Sequence, residues 1–196
     1  MKLTLSKNSK SYEVDLNSAT SLAIPYNYNG EQPNFYNVPK GEASPLLLGS
    51  FTGKVKNGLG CNVMVLNQNV HCTGTHTECA GHILEDDIFI HDVLTPEFIL
   101  THLISVSPIH WSETKERYHC NVQENDRVIT REMIKEHVTH SIDGLVLRTL
   151  PNSEDKLTRK YHTRNTPFFT TEAIHFINDL GVIHWVVDSP TVDKYD

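Results

Sequence analysis

Between His71 and His82 the chain reads His-Cys-Thr-Gly-Thr-His-Thr-Glu-Cys-Ala-Gly-His, with three histidines, two cysteines and a glutamate in twelve residues. Neutral imidazole, thiolate and carboxylate are the side chains that ligate Zn²⁺ and similar divalent ions. In extended backbone, side chains two apart face the same way. Cys72, His76, Glu78 and His82 are therefore expected on one face, with His71 and Cys79 on the other. A straight strand over 72–82 would run about 33 Å at ~3.3 Å per residue, too long for one ion. The chain must curl, and Gly74 and Gly81 are where curling costs least. Glu78, in the middle of the set, is placed to bridge two ions roughly 3.5–4 Å apart. Two other metal chemistries fail on spacing. His76-Thr77-Glu78 copies the first half of a zinc-deaminase signature, but the Pro-Cys-x-x-Cys half is absent. No His-Glu-x-x-His helix of the metalloprotease type occurs.

The flanking segments must position that window. Lys2 to Ser6 and Ser11 to Leu16 alternate apolar with polar around a turn at 7–10, which predicts a hairpin. Residues 17–50 carry Pro25, Pro33, Pro39 and Pro45 and many Asn and Gly. They form a long irregular stretch, and its aromatics (Tyr26, Tyr28, Phe35, Tyr36) favour function over disorder. Cys61–Leu66, Ile88–Val93, Thr101–Val106 and Gly144–Leu150 read as strands, and Val182–Val187 as a buried one. Glu132–Val138 reads as a helix capped by Thr130. Thr171–Leu180 is the clearest helix, capped by Thr170 or Thr171 and ended by Gly181. The expected fold class is α/β, strand-rich with two or three helices, as one domain over 1–196.

Composition bounds the rest. The 196 residues hold 17 Lys plus Arg and 24 Asp plus Glu, so 17 − 24 gives −7, with 12 His outside that sum. An acidic chain is poorly suited to coat nucleic acid. No apolar run approaches the roughly 18 residues of a membrane span, and Met1–Lys7 lacks the apolar core of a secretion signal. The four cysteines form no Cys-x-x-Cys pair, and free thiols in the cytoplasm are expected. Outside the window, Glu85-Asp86-Asp87 reads as a solvated acidic loop. His102, His110, His119, His137, His140, His162 and His175 read as surface or satisfied side chains, and His184 as a hydrogen-bonded core residue. Asp188 is either a site carboxylate at a strand end or the cap of the Ser189-Pro190 turn.

The window resembles the metal-binding motif His-x-Gly-Thr-His-x-Asp-x-Pro-x-His of the cyclase family of metal-dependent hydrolases, which includes kynurenine formamidases. Gly74-Thr75-His76 and His82 match in register. Glu78 stands where the family has Asp, Ala80 where it has Pro, and Cys72 where it has the first His, with His71 one residue earlier. Gly144–Thr149 resembles the family strand ending in Arg-Thr, and Val187-Asp188-Ser189-Pro190-Thr191-Val192-Asp193 its Asp-Thr-Pro-Ser-x-Asp element. Tyr28-Asn29-Gly30-Glu31 resembles a pocket-lining Trp-Pro-Gly-Asp stretch.

The resemblance implies a swivelling β/β/α fold, a homodimer or homotetramer, and hydrolysis of a small aromatic amide in the manner of an arylformamidase. It also implies one or two divalent ions, Zn or Mn, held by His76, Glu78 and either Cys72 or His71. His82 would act as the acid/base catalyst, and Tyr28 and Asp188 would touch substrate. The family pattern continues with a further segment bearing a His and a Glu for the second ion, and this chain is expected to lack it. The alternative expectation is a non-catalytic relative that binds metal or a small ligand.

Overall fold

The computed structural model of the chain describes residues 1–7, 9–57, 60–96, 98–161 and 166–195. The position of His162 lies outside them. The first strands, β1 (Lys2–Lys7) and β2 (Lys10–Asp15), pair antiparallel from Lys2↔Asp15 to Lys7↔Lys10, as the alternation predicts. The long segment that follows is irregular as far as Gly41, and Asn34 forms a single bridge to Lys160. Short strands come next: β3 (Glu42–Pro45), β4 (Leu47–Leu48), β5 (Phe51–Thr52) and β6 (Met64–Asn67). They form two separate antiparallel ribbons, β3–β6 and β4–β5. Then come the helical turns α1 (Val70–Thr73) and α2 (Ile90–Val93), then β7 (Thr101–Val106), β8 (Ile109–His110) and β9 (Arg127–Ile129). The chain ends with α3 (Arg131–Lys135), β10 (Gly144–Thr149), β11 (Phe168–Phe169), α4 (Thr171–Asp179) and β12 (His184–Val187).

Two βαβ units build the core. β7 reaches β10 through α3, and β10 reaches β12 through α4, so the sheet β12-β10-β7 is parallel. Period-two alternation buries Ile104 and Val106 of β7 and Leu145 and Leu147 of β10, while Leu103 and Arg148 face out. Ile134, Ala173 and Ile177 of the two helices close on the same cluster, together with Ile129 and Phe169 of the β11-β9-β8 sheet. Both helices start as their sequences dictate. Thr130 Oγ1 accepts from Met133 N and Thr170 Oγ1 from Ala173 N at 3.1 Å. Gly181, at φ +78, ends α4 in the left-handed region that glycine adopts freely. The α/β class expected from the sequence is the one observed.

Four expectations need correction. The Ile88–Val93 segment is a helical turn rather than a strand. Asp92 Oδ2 accepts from Phe89 N at 3.1 Å, a start-of-helix bond that outweighs the apolar run. β12 is an edge strand with Val186 42% exposed, so it is half-buried, and His184 on it is half-buried too. The helix expected over Glu132–Val138 stops at Lys135, which leaves His137 and His140 beyond it; His140 instead meets His102 edge-on at 5.1 Å. The Cys61–Leu66 strand begins only at Met64.

Candidate metal centre

The His71–His82 window is built from two turns rather than from a strand, and this decides which side chains meet. Asn69 O accepts from Cys72 N, Thr73 N and Thr73 Oγ1, closing α1 around the buried Thr73. In that turn His71 and Cys72 diverge at helical spacing, so the alternating faces expected of a strand do not apply. Gly74 follows in extended backbone, φ 177 and ψ 179. Its glycine is needed for closeness, not for a special dihedral: a Cβ there would lie 2.5 Å from Tyr26 Cζ. Thr75 Oγ1 accepts from Ile24 N at 2.9 Å, tying the window to the same N-terminal segment. A 3₁₀ turn over Ala80–His82 then carries His82 back, with His82 N donating to Cys79 O at 2.9 Å. Gly81 is again a matter of room, since a Cβ would sit 2.1 Å from Ile88 O.

The result is three imidazoles around one carboxylate. Glu78 Oε2 lies 3.9 Å from His71 Nε2, 3.5 Å from His76 Nε2 and 3.8 Å from His82 Nε2. His71 stacks on His82 at 4.3 Å and meets His76 edge-on at 4.9 Å. His76 Nδ1 donates to Gly74 O at 3.1 Å, which leaves the Nε2 lone pair directed at the cluster. Donor atoms of His71, Glu78 and His82 all lie within 4.8 Å of one another. Donors ~2.1 Å from a tetrahedral ion stand about 3.4 Å apart, so the observed spacings fit a divalent ion with little adjustment. Electrostatics agree with that donor set. Partial burial lowers the His71 pKa, and His82 and His76 lower it further against the opposing pull of Glu78, so His71 is neutral and able to ligate near pH 7.

Of the two alternatives for the first donor, the geometry brings in His71 and leaves out Cys72. Cys72 is not in the clustered donor set, and burial raises its thiol pKa, favouring the thiol over the ligating thiolate. Tyr28 stacks on Tyr26 at 5.6 Å and donates its hydroxyl to Gln68 Oε1, so the two rings flank the Gly74 side of the window. Asp188 is not among the clustered donors. It accepts from Thr149 N at 3.0 Å, from Thr149 Oγ1 at 3.0 Å and from Lys156 Nζ at 2.6 Å, at the carboxyl ends of β10 and β12. Glu85, Asp86 and Asp87 are exposed, as expected of a solvated loop. Tyr26 was not singled out as a site residue from the sequence. Nothing local distinguishes it from the other aromatics of its segment, and only its closeness to Gly74 does.

The α/β fold thus carries an imidazole–carboxylate cluster on a Gly-Thr-His turn, a donor set that could hold a divalent ion. The model of the cyclase family, described as "Putative cyclase", matches residues 14–194, and the chain belongs to that family. No curated protein matches the chain.

Proposed function

We propose that this protein is a metal-dependent hydrolase of a small aromatic amide, of the arylformamidase type, converting N-formyl-kynurenine to kynurenine and formate in tryptophan catabolism. The observation that carries the reading is the convergence of His71, His76 and His82 on Glu78, in a family to which kynurenine formamidases belong. His71, His76 and Glu78 would hold one or two divalent ions, Zn²⁺ or Mn²⁺. When bound, such an ion polarises a carbonyl and lowers the pKa of its water toward 7. His82, half-exposed at the rim of the cluster, accepts a proton from the attacking water and passes one to the leaving nitrogen. The stacked Tyr26 and Tyr28 rings offer a flat face to an aromatic substrate.

The test is turnover of N-formyl-kynurenine by protein loaded with Zn²⁺ or Mn²⁺, alongside metal analysis after dialysis. At least one tightly held ion per chain with turnover supports the reading. Stoichiometric metal with no turnover of any aromatic amide favours a non-catalytic metal-binding relative, and failure to bind metal at all removes both.

Assembly as a homodimer or homotetramer belongs to the same proposal. Parallel sheets are normally covered on both faces. Here Leu103, Val146 and Val186 stand in register across the outer face of β7-β10-β12, with Leu103 66% exposed. A second copy is the occupant proposed, and light scattering at micromolar concentration tests it. A cytoplasmic site of action is part of the same proposal, and no helix among the described residues is long and apolar enough to cross a membrane.

A further inference from the structure

A second cavity, separate from the metal centre, opens at the carboxyl ends of β10 and β12. Its volume is about 280 Å³, and none of His71, His76, Glu78 or His82 lines it. The carboxyl edge of a parallel sheet is where open α/β folds bind ligands. The volume lies just under the usual range of ~300–1,000 Å³ for small-molecule pockets.

The charge of its walls is unbalanced. Arg127, Lys156 and Arg159 line it against the single carboxylate of Asp188. Lys156 is neutralised by Asp188 at 2.6 Å and also donates to Thr149 Oγ1 at 2.9 Å. Arg159 forks onto Asp155 at 2.8 and 2.7 Å. Arg127 has no carboxylate partner among the described residues; its guanidinium donates to the Pro108 carbonyl, which leaves further N–H groups for a ligand. With the two pairs cancelled, one positive charge remains among the described residues that line the cavity. That matches a monoanion better than a phosphate dianion. The guanidinium fork also fits the two oxygens of a carboxylate. The remaining wall mixes the hydroxyls of Thr149, Thr166 and Ser189 with stiff apolar groups. Pro151, Pro167 and Pro190 present rings with no N–H, and Tyr161 is held by the Arg159 guanidinium 5.5 Å above its ring.

We propose that this cavity binds a small aromatic monocarboxylate, with Arg127 holding the carboxylate and the proline–tyrosine wall holding the ring. The proposal is independent of the metal chemistry.

Isothermal titration of the full chain with benzoate, benzamide and inorganic phosphate tests it. Benzoate is expected to bind. Benzamide, of the same shape without the charge, is expected to bind about tenfold or more weakly. R127Q should cost benzoate a similar factor, R127K should retain part of the affinity, and added salt should weaken binding. E78Q should bind benzoate as the wild type does; loss of binding in that variant would place the carboxylate at the metal centre and overturn the proposal. Equal binding of benzamide, unchanged binding by R127Q, tighter Arg127-dependent binding of phosphate, or no benzoate binding would each overturn it as well. Should R127Q fail to fold, the benzoate-to-benzamide ratio on the wild type decides.

Discussion

Adding one methyl group at Gly74 provides a sharp test of how the metal centre is held. An ideal Cβ there lies 2.5 Å from Tyr26 Cζ, 2.8 Å from its Cε1 and 2.8 Å from its hydroxyl oxygen. Carbon atoms pack at about 3.5–4.0 Å, so the ring must retreat by about 1 Å. It cannot do so freely, because it stacks on Tyr28 and its hydroxyl is buried. The backbone is extended, and alanine adopts that geometry without strain, so the whole effect must come through Tyr26. Overpacking of this kind costs about 1–3 kcal/mol. Each kcal/mol lowers the melting temperature of a chain this long by about 2–4 °C. The Gly74 carbonyl also accepts from His76 Nδ1, so displacing it disturbs an outer-shell partner of a donor histidine. Losses of that kind weaken metal binding about 10–100-fold. Competitive titration of Zn²⁺ against a fluorescent chelator, with a melting curve on metal-free protein, reads both effects. G74A should show both losses, and Y26A in the same chain should recover part of each by making room. Wild-type affinity in G74A, or a double variant no better than the single, would refute the reasoning.

E78Q keeps the shape but removes the charge on which three imidazoles converge, and equilibrium dialysis should find no retained metal. H82A should keep its metal and lose about 10²–10⁴-fold in rate, as expected for an acid/base catalyst; if it loses the metal, His82 is a ligand and its proposed role is wrong. T170A removes a buried cap that accepts from Ala173 N and donates to Glu116 Oε2 at 2.5 Å. It should cost about 1–2 kcal/mol in urea unfolding, without changing metal affinity. Burial, aided by the nearby Asp193, pushes the Tyr118 pKa up to about 12, against a hydrogen bond from Lys194 N that lowers it. The fold favours the neutral phenol, so this contribution is complete below the unfolded value near 10 and is lost as pH rises from there toward 12. An ultraviolet titration should show a last tyrosine ionising late, and Y118F should abolish that phase.

The elements that depend on local order were legible. The β1–β2 hairpin follows from alternation around a polar turn, and α4 from its apolar stripe between Thr170 and Gly181. The composition of the His71–His82 window announced metal chemistry, and its Gly-Thr-His core pointed to the family. Periodicity carries these because neighbours in the chain are neighbours in space. It misled where local bonds competed with it. The Asp92 carboxylate caps a helical turn in an apolar run, and the α1 turn breaks the two-residue alternation that had set His71 apart from His76 and Glu78.

The rest was decided by tertiary structure. That His71 rather than Cys72 comes within 3.9 Å of Glu78 depends on a turn closed by Asn69. The need for glycine at 74 comes from Tyr26, forty-eight positions earlier. Asp188 is committed to Thr149 and Lys156, more than thirty residues away in the chain. Arg127 reaches a cavity whose other walls come from Pro108, the end of β10, residues between β10 and β11, and the segment after β12. A sequence lists which groups are available and how each short segment bends. Which groups meet, and which are left with an uncancelled charge, is fixed only when the sheets and helices pack.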